Sequence, residues 1–210
     1  MDLYEEIKNN VIDGEEDIVV ELTQKLLDAG EKPTDIIRYG LIAGMDVVGV
    51  QFKNGDVFIP EVLLSASAMN AGIALLKPML VEGDIPSRGK IVIGTVQGDL
   101  HNIGKSLVAM MLESKGYTIV DVGCDVAPET FVRVAQEEKA DILAMSSLLT
   151  TSMMGMKTTI DLVKAEHLPL RVIVGGAPVS QSYADSIGAD GYSVDAATAV
   201  DLCDRLLGHA

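Results

Sequence analysis

Cysteine is scarce in this chain. Cys124 and Cys203 are the only two, they lie far apart, and neither belongs to a Cys-x-x-Cys pair. That excludes a cysteine zinc site and a disulfide framework, and both are expected to be buried thiols in a reducing cytoplasm. Tryptophan is absent and phenylalanine occurs three times. Basic residues are also few, 16 against 31 acids, for a formal net charge of −15. Residues 1–85 hold 16 of the acids and 6 of the bases. A nucleic-acid binder needs a basic face, and none is evident. The same acidity disfavours anionic membranes. No apolar run approaches the length of a membrane span, and no basic, apolar leader opens the chain.

What is present is ample apolar material, 48% of 210 residues, enough for one large or two small domains. Residues 1–80 read as helices. Residues 2–10 make a short one. Asp13 caps a second through Asp28, with Ile18, Leu22 and Leu26 on one face and Gly30 as its stop. Pro33 opens a third, with Ile37, Leu41, Val48 and Phe52 on one side. After the turn signal Asn54-Gly55-Asp56, Pro60 opens a fourth. Its apolar stripe runs Val62, Ala66, Met69, Ile73, Leu76 and Leu80. Four helices with short connections suggest a small bundle. The acidic run 13–17 suits a helix N-terminus.

Residues 82–89 have linker composition, dividing a helical domain at 1–85 from a second domain at 86–210. There, apolar runs at 91–96, 118–122, 142–146, 171–174 and 190–194 alternate with helical segments near 104–115, 128–139, 153–165, 179–187 and 195–207. Five β–α units predict a five-stranded parallel sheet with helices on both faces, a Rossmann-like (flavodoxin-like) arrangement.

The first strand runs into Gly98-Asp99-Leu100-His101-Asn102-Ile103-Gly104, where a strand gives way to a helix. Open α/β sheets bind ligands there. A carboxylate two residues before an imidazole can accept the proton of one ring nitrogen, leaving the other free as base or ligand. The segment ends Gly104-Lys105-Ser106 like a phosphate-binding loop. Five residues separate Gly98 from Gly104, whereas that loop requires four, and Asp99 would repel phosphates. No Gly-x-Gly-x-x-Gly is present. Taken alone, Asp-x-His reads first as a helix start, His101 capping the helix and Asp99 bonding its backbone.

The spacing of further motifs adds to it. Forty-one residues separate Gly104 from Ser146-Ser147-Leu148, and 26 separate Leu148 from Gly175-Gly176. Asp-x-His-x-x-Gly, Ser-x-Leu and Gly-Gly in this order resemble the signature of the cobalamin fold in which a protein histidine replaces the cofactor's own base. With its helical N-terminal half, the chain is similar to the corrinoid proteins of anaerobic methyltransferase systems and to the cobalamin-binding region of methionine synthase.

The resemblance implies cobalamin or a related corrinoid (methylcobalamin), bound base-off with His101 on cobalt. Asp99 would hold and tune that ring. Ser152, by position, would follow Asp99 in the relay, with Thr150 and Thr151 as nearby substitutes. A hydrogen-bonded His-Asp pair would couple proton uptake to the change of cobalt oxidation state. Asn102, Ile103, Gly104, Gly175 and Gly176 would border the nucleotide tail, the glycines permitting close approach. Ser146 would hydrogen-bond that tail, with Leu148 packing beside it. Phe52 and Ile59 would cover the upper face as an apolar lid, though both also suit a bundle core. Met110, Met111, Met145, Met153, Met154 and Met156 read as core packing, and His167 and His209 as surface residues.

The function implied is a methyl carrier, taking a methyl group from a substrate-specific methyltransferase and passing it to a second methyltransferase acting on tetrahydrofolate or coenzyme M. A corrinoid reductive activase is a further implied partner. Such a subunit shares its chemistry with partner enzymes, and a mobile linker at 82–89 is expected. A cobalamin-dependent sensor, or a cofactor-free flavodoxin-like interaction module, are the alternatives.

Overall fold

The structure, a computed structural model, describes residues 2–80 and 87–209. Most of the expected linker, residues 82–86, lies outside the described residues. The chain forms two compact units, one of residues up to Ser87 with Ser114–Gly116, the other of Arg88–Glu113 with Tyr117 onward.

The first unit is helical: α1 (Leu3–Asp13), α2 (Glu16–Asp28), α3 (Pro33–Asp35), a π-helical stretch (Ile36–Ile42), α4 (Ala43–Asn54) and α5 (Ile59–Leu76). Asp13 does not cap α2. It is the last residue of α1, which Gly14 ends in the left-handed conformation at φ 74°. The buried face of α2 is also rotated from expectation. Val19, Leu22, Thr23 and Leu26 face inward while Ile18 is exposed. The π-helical stretch runs where the chain closes on α1. A Cβ on Gly40 would touch Ile7, and one on Gly44 would meet Val11 and the Lys8 carbonyl.

α5 and the following turn, Ile59–Met79, form a 21-residue stretch of mean hydropathy 1.5. This corrects the expectation that no apolar run reaches span length. The reason is packing: α5 lies against α1, α2, α4 and the π-helical stretch, so small and apolar residues serve on several sides of it.

The second unit is a five-stranded, all-parallel sheet: β1 (Lys90–Thr95), β2 (Thr118–Asp121), β3 (Ile142–Ser146), β4 (Arg171–Gly175) and β5 (Gly191–Ser193), in the order β2-β1-β3-β4-β5. Helices α6 (Ile103–Ser114), α7 (Pro128–Glu137), α8 (Met154–Ala165), α9 (Gln181–Ile187) and α10 (Ala196–Leu207) connect and follow the strands. Val92, Leu143, Met145, Val172 and Val174 form one core with Phe131 of α7, Met156 and Ile160 of α8, and Ala184 of α9. The alternate residues Ile91, Ile93, Ile142, Ala144 and Ile173 are buried too. Both faces are therefore covered, which is why the strands read as unbroken apolar runs. Gly94 makes room for Phe131: a Cβ there would lie 2.7 Å from its ring.

Some expectations need correction. Cys203 is buried, but Cys124 is half-buried in the loop after β2. Met111, Met145 and Met156 are core, Met110 and Met153 are half-buried, and Met154 is exposed. His167 and His209 are exposed as expected.

Because Phe131 fills the space left by Gly94, Phe131→Ala should cost about 3–5 kcal/mol of stability. The midpoint of chemical denaturation, followed by circular dichroism, checks this.

Candidate functional site

The strand order reverses direction between β1 and β3, so the loops leaving their carboxyl ends diverge and open a crevice. Both loops meet at the Asp99 carboxylate, which is buried at 1% exposure. Its Oδ1 accepts the backbone N–H of His101 at 3.1 Å and lies 2.6 Å from His101 Nδ1. Its Oδ2 accepts the backbone N–H groups of Leu148 at 2.6 Å and Leu149 at 3.1 Å. The Ser152 hydroxyl donates to Oδ2 at 3.2 Å and that of Ser147 at 3.4 Å.

Burial alone would push the Asp99 carboxyl up. The N–H groups of Leu148 and His101, the His101 ring and the Leu149 N–H outweigh it, holding the group well below the usual carboxylate range. The ionised carboxylate fixes hydrogen on Nδ1, so a neutral ring keeps its lone pair on Nε2. The His101 side chain is 54% exposed. The site thus presents an outward-facing imidazole with a fixed tautomer, suited to donate to a metal.

The loop is braced from behind. The buried Thr95 hydroxyl donates to the His101 carbonyl at 2.8 Å. Asp125, in the loop after β2, donates its N–H to the Asp99 carbonyl and accepts the Gly98 N–H at 2.7 Å. Lys105, buried in the first turns of α6, pairs with Asp121 at the end of β2. Sequence reasoning missed Thr95, Lys105, Asp125 and Ser147. A polar residue in an otherwise apolar strand end, and a lysine in an apolar helix, were the available signals.

Other expected site residues fall at the same edge. Asn102, Ile103 and Gly104 are exposed at the start of α6, and a Cβ on Gly104 would meet nothing within 4 Å. Gly104 therefore borders open space rather than a tight internal contact. Ser146, half-buried, pairs in register with Gly175, and its carbonyl accepts the Val96 N–H. The Leu148 side chain is exposed, and its backbone N–H is what joins the carboxylate. Thr150 and Thr151 are exposed and stand outside the Asp99 network, which Ser152 enters instead. Gly176 is demanded by the protein itself: at φ 118°, its Cβ would lie 1.9 Å from the Ser147 carbonyl oxygen. A Cβ on Gly175 would lie 3.2 Å from the Ser193 carbonyl.

Large apolar side chains face solvent where the chain leaves the carboxyl ends of the strands: Leu100 and Ile103 after β1, Leu148, Leu149 and Met154 after β3, and Val194 after β5 at the far edge of the sheet. An exposed apolar rim of this kind marks a binding surface. A fixed imidazole donor within an apolar rim fits a broad, flat, metal-centred ligand such as a corrinoid.

Two family models, each described as a B12 binding domain, match residues 89–201 and 3–77. The chain belongs to the B12-binding corrinoid proteins. It is 45% identical to a corrinoid protein of Desulfitobacterium hafniense over 99% of each chain. It is 43% identical to the dimethylamine corrinoid protein of Methanosarcina barkeri over 98% of each. In structure it is similar to the methanol:cobalamin methyltransferase complex MtaBC from Methanosarcina barkeri. The TM-score is 0.91 and the identity 34%, covering 99% of this chain and 80% of that one. A cobalamin-binding protein from Desulfitobacterium hafniense matches with a TM-score of 0.78 and 32% identity, over 98% of each chain. The sequence-based expectation of a corrinoid protein with a helical region and a Rossmann-like domain is borne out.

Two outcomes follow from the geometry. Asp99→Asn should destabilise the full chain by about 1–3 kcal/mol at neutral pH, because an amide presents hydrogens to donors. A carboxylate held below its ordinary value of 3.8 stabilises the fold above that pH and gives the stabilisation up as pH falls below it. Thermal melts should therefore show the wild-type advantage at pH 7 shrinking below about pH 4. Gly176→Ala should separate the loops after β3 and β4, seen as faster amide exchange at Leu148 and Leu149 and weaker corrinoid binding.

Proposed function

We propose that this chain is a corrinoid methyl carrier that would hold its cofactor base-off, with His101 as the protein ligand to cobalt. It accepts a methyl group from a substrate-specific methyltransferase and presents it to a second methyltransferase acting on tetrahydrofolate or coenzyme M. A corrinoid reductive activase keeps it in service. The observation that carries this reading is the buried, multiply bonded Asp99 carboxylate holding one nitrogen of an exposed imidazole at the switch point of the sheet.

When bound, the cobalt corrinoid supplies the centre that takes up and gives up the methyl group. The chain's own residues do the rest. Asp99 fixes the tautomer and angle of His101, and the hydrogen bond between them raises the ring's donor strength. Ser152 supports the carboxylate from the far side. Gly104 leaves the edge free of a side chain where the nucleotide tail would enter, Gly175 and Gly176 let the loop after β4 pack on the Ser193 and Ser147 carbonyls beside it, and Ser146 offers that tail a hydroxyl. Asn102, Ile103 and Leu148 border it. Phe52 and Ile59 would shield the bound cofactor; within the helical unit Phe52 is half-buried and Ile59 exposed at 42%. An apolar cover excludes water from a reactive centre. The relatives named for dimethylamine and trimethylamine make methylamines the first donor class to try.

The test is His101→Gly in the full chain. With wild type, hydroxocobalamin should bind and show a histidine-ligated spectrum, and the methylated protein should pass its methyl group to a pterin or thiol once partner enzyme is added. The variant should lose that spectrum and bind at least about tenfold more weakly. Unchanged retention and transfer would disprove the ligand role. A loaded wild-type protein that transfers to neither acceptor would sink the carrier reading.

A further inference from the structure

The Ser147 side chain has no role in the reading above, yet it lies in the Asp99 network at 0% exposure. Its Oγ is 2.8 Å from Ser152 Oγ. Both hydroxyls also reach the Leu149 carbonyl, Ser147 at 3.0 Å and Ser152 at 2.9 Å. Each hydroxyl has a single hydrogen to give. Two hydrogens therefore serve three acceptors: the Asp99 carboxylate, the Leu149 carbonyl and the other hydroxyl.

Without Ser147, the Ser152 hydrogen would divide between Leu149 O at 2.9 Å and Asp99 Oδ2 at 3.2 Å. With Ser147 there, two arrangements release it to the carboxylate. Ser147 can donate to Leu149 O and satisfy that acceptor. It can instead donate to Ser152 Oγ, making a chain in which each bond strengthens the next. The reverse arrangement, Ser152 donating to Ser147 and Ser147 to Asp99 Oδ2, serves the ionised carboxylate through the longer contact, 3.4 Å against 3.2 Å, and is the weaker one. The backbone holds Ser147 in place, since Gly176 passes so close to the Ser147 carbonyl that no Cβ fits between them.

We propose that Ser147 is a positioning residue that directs the Ser152 hydroxyl hydrogen onto Asp99, and so sets how firmly the carboxylate holds the His101 ring. Its consequence for the cofactor rests on the ligation reading above; the hydrogen-bond assignment itself does not.

The experiment is NMR of the full chain with carboxyl-labelled aspartate, without and with hydroxocobalamin, the Asp99 signal being the one lost in Asp99→Asn. In the cofactor-free protein, Ser147→Ala should move the Asp99 carboxyl signal in the same direction as Ser152→Ala. The double variant should move it no further than Ser152→Ala alone, and Ser147→Thr should restore it. Hydroxocobalamin binding should weaken about two- to tenfold in Ser147→Ala, the worth of one hydrogen bond. If Ser147→Ala fails to fold, Ser147→Cys, a poor donor of similar size, gives the same reading. An Asp99 signal that stays at its wild-type position, or effects of the two serines that add in full, would overturn the proposal. Loss of the ligation reading shows separately, as a His101→Gly protein whose loaded spectrum is unchanged while the Asp99 shifts persist.

Discussion

The site depends on one buried negative charge. Asp99 sits where water cannot solvate it, and an unpaired carboxylate there would be strongly disfavoured. The protein offsets that cost with backbone N–H groups from two separate loops, the imidazole and the Ser152 hydroxyl. Each donor has to arrive from a fixed direction, so satisfying the charge also fixes the loops. The carboxylate acts as a staple between the segment after β1 and the segment after β3. The orientation of His101 is a by-product of that staple.

The sheet explains why the staple is possible. In the order β2-β1-β3-β4-β5, the chain leaves β1 toward one side and β3 toward the other. Backbone N–H groups at the end of β3 would otherwise point into the crevice without partners, and Asp99 supplies an acceptor. The same edge brings Gly176 against the Ser147 carbonyl and Asp125 against Gly98. A left-handed glycine and a left-handed aspartate, Asp125 at φ 55°, let the neighbouring loops turn out of the way. Local backbone conformation and site electrostatics are therefore one problem with one solution.

How much of this was legible in the sequence follows from the range of each interaction. The parallel sheet could be read because both faces are buried, and apolar runs of strand length say so directly. Asp99 and His101 were legible as a pair because they are two residues apart. Ser152 follows only from the family resemblance, by position, and Gly176 from the Gly-Gly motif, though for a different reason from the one the structure gives. Ser147, Asp125 and Thr95 were not found, because their roles depend on which loops the fold brings together across 48, 26 and 6 residues. Ser147 lies inside the very Ser-x-Leu motif that was singled out, at its unspecified position. In the helical unit, α2 turns Val19 inward where the periodicity favours Ile18. Ile18 and Val19 are both apolar, and only the crossing with α5 decides which of them turns inward.

The apolar rim completes the physical case for a ligand at this edge. Leu100, Ile103, Leu148 and Val194 belong to loops or loop ends, where polar residues would satisfy the backbone equally well and cost nothing in solubility. Scattered exposed aliphatics need no explanation, but Leu100, Ile103 and Leu148 lie on the two loops that meet at Asp99, which also carry an imidazole whose tautomer is already fixed. Polar precision at the centre and apolar area at the margin is the division of labour expected of a small-molecule site, where a few placed polar groups set orientation and the lining supplies affinity. The staple at Asp99 makes the centre rigid enough for that division to work, because a ring free to turn would spend part of the binding energy on being ordered.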